Sequence, residues 1–301
     1  MPLEVENGGL RLRVAPEVGA SVVDLSFERG GSLVPLLRRA HEPLSRSSDA
    51  ACFLLVPYSN RLRDGRFRFE GRSYELGHPK PDAIHGDVRD RRWQVGHCCD
   101  HGCTLTFDSR AFGDVHFPFP FAAEVSYRLQ DGVFTNALRV VNVGEARMPA
   151  GLGFHPYFNR ALGPASEEVL LELAVRGVYP DSPERPALPI GPPVGLRPGQ
   201  DFSKLRPLDV ALDHCFAGWD GHAEIRWPES RVRVVMEASA RLRHVIVYSP
   251  PAQPFFAVEP VSHANDGFNL FASGQPGTGV VVLAAGESLE GSFSLSVENS
   301  A

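Results

Sequence analysis

The chain has 301 residues, of which 43% are hydrophobic and 22% are charged. Its 36 acidic and 30 basic residues give a net charge of -6, and no Lys or Arg cluster is large enough to bind a phosphate backbone, so nucleic acid is excluded as an expected partner. Five cysteines, an odd and sparse number, argue against a disulfide framework. The polar start "MPLEVENGGLRLRV" and the lack of an apolar run of about 18 residues predict no signal peptide and no membrane span, so we expect a cytoplasmic protein.

Short runs in which apolar and polar residues alternate recur along the whole chain. They are "LRLRV" from Leu10, "RFRFEG" from Arg66, "TLTF" from Thr104, "AEVSYRL" from Ala123, "RVRVVM" from Arg231 and "SFSLSV" from Ser292. A period of two predicts half-buried β-strands. Glu70-Gly71 and Asp131-Gly132 each join two such runs and predict hairpin turns, because glycine adopts the positive φ that tight turns require.

Two continuous apolar runs, "HVIVY" from His244 and "GVVVLAA" from Gly279, predict strands buried on both faces, as in the middle of a two-layer sandwich. The 29 glycines and 26 prolines leave few windows for a long helix, and "VPLLRRAHEP" near residue 38 is at most a short one. The sequence therefore predicts an all-β protein with more than one sheet.

The segment from Tyr179 to Pro207 is rich in proline and glycine and has two interpretations, a linker between two domains or a long connection within one. Strand-like runs of similar composition flank it on both sides. We favour an ordered connection, because long loops in compact domains are often functional. The expectation is a single domain over residues 1–301.

The sequence "GHCCDHGC", residues 96 to 103, contains the densest cluster of possible metal ligands. Its spacing fits no zinc pattern, because adjacent cysteines on a strand point to opposite faces and a second ligand pair is missing. We interpret it as a hairpin with its turn between Cys99 and Gly102, and we predict no metal site. Phosphate-loop, dinucleotide-binding and nucleophile-elbow motifs are also absent from the sequence.

Four ionisable residues remain in unusual local settings: His85 in "DAIHGD", His155 in "GFHPYFN", Asp213 in "ALDHCF" and Glu259 in "FFAVEP". Each has a structural alternative, since a histidine can cap a turn and a carboxylate can end a strand at the surface. Glu259 is the hardest to explain in this way. It ends the apolar run "PFFAV", where a buried carboxylate is costly unless it has a partner or a function.

Several motifs appear together in an order that resembles the aldose 1-epimerase (galactose mutarotase) family. They are "PYSNRLRDGRFRFEGRSYEL" from Pro57, "HGDVRDRRW" from His85, "HPYFN" from His155, "LPIG" to "DFSKLRPL" from Leu188, "DHCF" from Asp213, "VEP" from Val258 and "LAAGESLEGSFSL" near the end. The resemblance covers nearly the whole chain. It implies a large antiparallel β-sandwich, the galactose mutarotase-like supersandwich, whose open face holds a sugar.

The resemblance also implies roles for individual residues. Glu259 matches the general base of the family and His155 its general acid, with His85 as a second histidine near the ring oxygen. Substrate-binding residues are implied at Arg61, Asp213 and Asn60. The substrate is then a small-molecule sugar, and no cofactor is expected, because acid and base groups suffice to open a hemiacetal.

Three alternatives remain open. Arg89, Arg91 and Arg92 follow His85 in a pattern that is similar to the related hexose-6-phosphate mutarotases, where arginines would hold a phosphate. We favour a free aldose, with these arginines on the solvated surface. A sugar-binding module without turnover, or a glycosidase with a carboxylate pair, would use the same fold differently. The sequence predicts neither the particular aldose nor the oligomeric state.

Overall fold

In the computed structural model, which describes residues 2–77, 82–163 and 166–299, the alternating runs form two large antiparallel sheets. Within the described residues, ten strands form the first sheet, in the order β1-β2-β3-β5-β15-β23-β22-β19-β17 with β4 beside β3. These strands, numbered in chain order, are β1 Leu3–Asn7, β2 Leu10–Ala15, β3 Ser21–Arg29, β4 Ser32–Pro35, β5 Cys52–Leu55, β15 Gly153–Asn159, β17 Gly177–Val178, β19 Leu212–Ala217, β22 His244–Ser249 and β23 Phe255–Val261.

Nine strands of the described chain form the second sheet, in the order β10-β11-β12-β13-β25-β21-β20-β16-β18. They are β10 Gln94–Cys99, β11 Gly102–Asp108, β12 Phe121–Gln130, β13 Val133–Asn142, β16 Leu170–Leu173, β18 Phe202–Pro207, β20 His222–Trp227, β21 Val232–Ala238 and β25 Ser288–Asn299. This arrangement confirms the predicted all-β sandwich.

Smaller elements cover the edges and loops. Three two-stranded ribbons pair β6 Arg61–Leu62 with β9 Ala83–Ile84, β7 Arg66–Phe69 with β8 Arg72–Glu75, and β14 Met148–Ala150 with β24 Val281–Leu283, as counted over the described residues. In the same residues there is one α-helix, α1 Gly267–Ala272, and there are four 3₁₀ turns, at Ser47–Asp49, Arg63–Gly65, Ser109–Ala111 and Pro198–Gln200. The described part of the chain contains no helix that is both long and apolar enough to cross a membrane.

The main core lies between the two sheets and includes side chains from Val5 to Leu295. Phe154 of β15 meets Phe293 of β25 with ring centroids 4.9 Å apart, which joins the middle strands of the two sheets. Strand β12 shows why the sequence folds this way, because its residues alternate between buried and more exposed along its whole length. One cluster thus spans most of the described chain, and the single domain over residues 1–301 stays a prediction.

The first sheet is also covered on the face that points away from the main core, which we call the outer face. Its side chains form a second apolar cluster made of Phe53, Leu55, Tyr157, Tyr179, Cys215, Ile246, Ala257, Val261 and Ala264. Strand β23 is therefore buried on both faces after its first residue. A strand in this position accepts a polar side chain only where that side chain has a partner or a function.

The hairpin predictions are confirmed. Gln130 lies opposite Val133, Phe69 opposite Arg72 and Cys99 opposite Gly102, so each predicted turn joins two paired strands. The segment from Tyr179 to Pro207 ends in β18, which pairs with β16 in the second sheet. It therefore carries the chain from one sheet to the other.

The run near residue 38, for which the sequence allowed at most a short helix, contains none; β4 ends at Pro35 and Leu37 forms a β-bridge with Phe158. One local prediction is wrong, because the run from Gly279 is not a strand buried on both faces. Only Val281–Leu283 is extended there, in a small ribbon whose first two residues are partly exposed. In both places the apolar residues contact the body of the protein from a loop or an edge, which apolar character alone does not distinguish from a central strand.

We expect Gly86→Ala to destabilise the protein much more than Gly71→Ala. Both glycines have a positive φ, +72° and +77°, so an added Cβ strains the backbone at either position. A Cβ at Gly86 would lie 2.0 Å from the Val56 carbonyl oxygen, whereas a Cβ at Gly71 meets nothing within 4 Å. Urea unfolding should show a loss of roughly 1 kcal/mol for Gly71→Ala and several times that for Gly86→Ala. Equal losses of stability in the two variants would show that the close approach of Gly86 to Val56 does not add to the cost of the substitution.

Candidate active site

His155 and Glu259 face each other from two neighbouring strands near the middle of the first sheet. Gly153 of β15 lies opposite Val261 of β23, so two residues further along β15 His155 lies opposite Glu259. His155 Nε2 is 3.2 Å from Glu259 Oε1. The two residues are only 4% and 1% exposed. The imidazole of His155 and the carboxyl group of Glu259 are thus held in contact and are buried on the outer face.

Aromatic rings surround the His155 imidazole. Phe53, which lies opposite His155 on β5, stacks on it with ring centroids 4.5 Å apart. Tyr157 approaches to 4.3 Å, and the His85 ring meets it edge-on at 5.3 Å. Such close packing on several sides leaves the imidazole one orientation, in which Nε2 points at Glu259.

The β6–β9 ribbon brings His85, Asn60 and Arg61 to this place, because Asn60 directly precedes β6, Arg61 begins it and His85 directly follows β9. The His85 backbone amide donates to the Asn60 carbonyl oxygen at 2.9 Å, and His85 itself has a left-handed φ of +66°. Asn60 Oδ1 accepts from the Arg61 backbone amide at 2.8 Å and from Arg61 Nη1 at 3.2 Å. Asn60 therefore orients the arginine, and the glycine after His85 lets the loop approach the sheet closely.

Asp213 completes the set from the far side. It lies on β19, opposite Tyr248 of β22, and its Oδ2 is 3.9 Å from Arg61 Nη2. The Arg61 and Asp213 side chains are 26% and 35% exposed, far more than Glu259 or His155. The six residues singled out in the sequence are thus brought to one depression, with the His155–Glu259 pair at its floor.

Glu259 is held in an environment that disfavours its charge. Burial raises the pKa of its carboxyl group well above the usual value, and the Asp213 carboxylate raises it further, whereas the Arg61 guanidinium lowers it. Its second oxygen, Oε2, is buried and accepts no hydrogen bond from any residue that the structure describes. A buried oxygen without a hydrogen-bond partner is costly, and this one is available to a hydroxyl group that donates to it.

His155 is shifted in the complementary direction. Burial lowers its pKa to about 3, and the nearby positive charges of Arg38 and Arg89 act in the same direction. Both shifts disfavour the charged forms, so burial favours a proton on Glu259 over a proton on His155. Because the two groups are in contact, they titrate as a unit with two apparent pKa values.

The three arginines after His85 have different environments. Arg92 has a 73% exposed side chain next to Glu17, as expected for a surface residue. Arg91 differs from the surface interpretation, because its side chain is only 13% exposed and is paired with Asp87 and Asp114. Arg89 differs from it as well, because its side chain is only 20% exposed and its charge acts on His155.

Arg38 is a site neighbour that sequence reasoning missed. Its guanidinium carbon lies 3.8 Å from the centre of the Tyr157 ring, and its Nη2 donates to the Ser48 and Ala50 carbonyl oxygens. Nothing in the run "LLRRAHEP" distinguishes Arg38 from its neighbour Arg39. Only the pairing of β15 with β5 and the bridge at Leu37 bring it near His155.

The cysteine-rich run lies far along the second sheet from this depression. Cys98 and Cys103 face each other in the β10–β11 hairpin as free thiols. Among residues 2–77, 82–163 and 166–299, no group of three or more His, Cys, Asp or Glu side chains is arranged to hold a metal ion.

Fold and site together define a class of protein, a large antiparallel β-sandwich with a buried histidine–glutamate pair on the outer face of one sheet. The family model for aldose 1-epimerases matches residues 2–296. The chain belongs to the aldose 1-epimerase family.

Individual relatives agree with this assignment. The chain is 32% identical over 307 residues to YphB of Escherichia coli K12, an uncharacterized protein, with 98% of each chain covered. A crystal structure from the same organism, described provisionally as an aldose 1-epimerase, has a TM-score of 0.85 at 27% identity and covers 100% of this chain and 99% of its own. A galactose mutarotase-like protein from Clostridium acetobutylicum shares the fold with a TM-score of 0.84 at 21% identity, covering 99% of this chain and 95% of its own.

We expect Asp213→Asn and Arg61→Gln to move the apparent pKa of Glu259 in opposite directions. Asp213→Asn removes a negative charge that raises this pKa, so it should fall, and Arg61→Gln removes a positive charge that lowers it, so it should rise. Infrared difference spectra recorded against pH would follow the carbonyl stretch of the protonated carboxyl group, with Glu259→Gln identifying the band. A shift in the same direction in both variants would contradict this electrostatic account.

Proposed function

We propose that this protein is an aldose 1-epimerase that interconverts the α and β anomers of a free aldose. The observation that carries the proposal is the contact of 3.2 Å between His155 Nε2 and Glu259 Oε1 in a buried part of the outer face. Membership of the aldose 1-epimerase family supports it independently.

The geometry suits this reaction because of the structure of a hemiacetal. Its ring oxygen and its C1 hydroxyl are bonded to the same carbon, so the acid and the base that act on them must be immediate neighbours. His155 and Glu259 meet this requirement. A sugar whose C1 hydroxyl reaches Glu259 and whose ring oxygen reaches His155 replaces the direct contact between the two side chains.

In the proposed reaction Glu259 takes the proton of the C1 hydroxyl while His155 donates a proton to the ring oxygen. The bond between C1 and the ring oxygen breaks, its electron pair goes to the ring oxygen, and C1 becomes an aldehyde carbon. Rotation about C1–C2 presents the other face of the aldehyde, and the two transfers run in reverse to close the ring. Each positioned acid or base typically contributes about 10²–10⁴ in rate.

The proton balance matches the pair. Ring opening starts with the proton of the pair on His155 and ends with it on Glu259, which is where burial favours it. The pair is active with one proton, so activity falls at low pH when both groups are protonated and at high pH when neither is. The raised pKa of Glu259 places the alkaline limit above the usual carboxyl range.

Arg61, Asn60, Asp213 and His85 would bind the remaining hydroxyl groups in this proposal. Arg61 and His85 offer donors, and Asp213 offers a carboxylate whose side chain is about one third exposed. Mixed donors and acceptors around a partly open depression suit a neutral polyhydroxyl ligand.

We expect Glu259→Gln and His155→Gln each to lower kcat by about 10²–10⁴-fold, because each removes one of the two proton transfers. The measurement is the decay of optical rotation of freshly dissolved α-D-glucose and α-D-galactose in a buffer that catalyses mutarotation poorly. Arg92→Gln, a charge change on the exposed surface, is the matched control and should keep full activity. Wild-type protein that binds these sugars without accelerating the decay would favour a binding module.

A second candidate function, a hexose-6-phosphate mutarotase, is favoured by one observation. Arg89 and Arg38 both act electrostatically on His155. In the proposed binding mode, the ring oxygen and C6 of the sugar lie on the His155 side of the pair. Two half-buried guanidinium groups there could hold a phosphate on C6. Arg38 is already engaged by two backbone carbonyl groups and the Tyr157 ring, and for this reason we place the free aldose first.

For a free-aldose enzyme we expect Arg89→Gln to change kcat/KM for glucose and for glucose 6-phosphate by the same factor. The substitution removes a charge near His155 but no contact specific to a phosphate. Polarimetry with both sugars measures the two factors. A loss confined to glucose 6-phosphate, of about tenfold or more as expected for a lost charged contact, would establish the second candidate in place of the first.

A further inference from the structure

A cavity of about 720 Å³ adjoins the depression at Asp213 and Tyr248. It lies between the first residues of β19, the end of β22 and the proline-rich segment that follows β17. At about 30 Å³ per water molecule it holds roughly two dozen waters, which is more room than the hydroxyl groups of one sugar ring require. None of its lining residues belongs to the His155–Glu259 pair.

The cavity exists because β17 is short. Its two residues pair only with Ala217 and Phe216, so the edge of β19 from Leu212 to His214 is not covered by that strand. The chain then turns away through Pro180 and returns at Val194, which pairs with Val178. The turn at Pro180 and the early end of β17 therefore leave a gap beside Asp213.

The lining is mostly apolar, carries a few polar groups and is close to neutral in charge. Asp181 and Asp213 carry negative charge, Arg197 carries positive charge, and Ser182 and Gln200 add neutral hydrogen-bonding groups. The buried Nδ1 atom of His214 has no hydrogen-bond partner among the described residues. Tyrosine and proline faces complete the walls. This mixture suits a neutral polyhydroxyl ligand and not a phosphate, for which an excess of positive charge is expected.

The order of the strands fixes which part of a bound aldose faces the cavity. Going across the outer face, His155 of β15 comes first, Glu259 of β23 second and Asp213 of β19 last. With the ring oxygen at His155 and C1 at Glu259, C2 and C3 point towards Asp213. C5 and C6 lie on the opposite side, next to His155.

We propose that this cavity is a second sugar subsite, which binds a sugar unit attached through O2 or O3 of the aldose. This inference rests on the proposed function for the orientation of the first ring. The substrates then include reducing disaccharides with 1→2 or 1→3 linkages. A 1→6-linked unit points away from the cavity and gains nothing from it.

The proline-rich segment offers a substitution that fills the cavity and a matched control. Gly195 lines the cavity, and a Cβ built there meets nothing within 4 Å. Gly191 lies on the same segment with equal free space but is not part of the cavity wall. Gly195→Trp is chosen to fill the subsite, because its Cβ meets no neighbouring atom there, and Gly191→Trp adds the same side chain outside the cavity wall.

The experiment compares laminaribiose, a 1→3-linked glucose disaccharide, with gentiobiose, its 1→6-linked isomer, and with glucose. Calorimetric binding and the decay of optical rotation are measured for the wild type and both variants. We expect Gly195→Trp to weaken laminaribiose binding and its kcat/KM by roughly tenfold, the scale of one lost pocket contact. Glucose and gentiobiose should change by less than about twofold, and Gly191→Trp should match the wild type for all three sugars.

The outcomes separate this inference from the proposed function. If glucose turns over but laminaribiose binds no better than gentiobiose, or if Gly195→Trp affects all sugars alike, the second subsite is wrong and the epimerase proposal stands. If no sugar turns over, the proposed function fails. Calorimetry then still decides the subsite, because laminaribiose binding that Gly195→Trp abolishes and Gly191→Trp preserves supports it, and absence of binding overturns it.

Discussion

The burial of one carboxyl group on a central strand is the constraint on which the rest of the site depends. Glu259 lies on β23, which packs against the main core on one face and against the outer apolar cluster on the other. A carboxylate in such a place loses its hydration. A partner that can share a proton with it offsets part of this cost. His155, directly opposite on β15, is that partner. The aromatic rings around His155 and the segment that carries His85 hold this contact in one geometry.

Strand alternation lets one sheet serve both stability and chemistry. Along β23, Phe256 and Val258 belong to the main core, whereas Ala257 and Glu259 face outwards. Along β15 the same alternation places Phe154 against the second sheet and His155 in the site. Because neighbouring residues point to opposite faces, a one-residue slip in register would bury the wrong set, so the packing of the sandwich fixes the position of the reacting groups.

Local features of the fold could be predicted from the sequence, and non-local ones could not. Alternating runs and Asp-Gly or Glu-Gly turns gave strands and hairpins correctly, because both signals lie within a few residues. The contact between His155 and Glu259 joins residues far apart in the chain, and nothing local encodes the register that creates it; the family resemblance supplied the pairing of these residues. Arg38 and Arg89 illustrate the limit. Each sits in an ordinary arginine-containing run, and only the assembled sheet shows that their charges act on His155.

Substrate binding and proton position are coupled in this arrangement. Asp213 and Arg61 act on Glu259 with opposite signs, and both are also the groups best exposed to a sugar. Hydroxyl groups that donate to Asp213 weaken its repulsion of a Glu259 carboxylate, and those that donate to Glu259 Oε2 stabilise the carboxylate directly. Either contact shifts the shared proton towards His155, the state from which the proposed ring opening begins. Burial alone favours the proton on Glu259, so in the proposed reaction the bound sugar itself brings the pair into its reactive form.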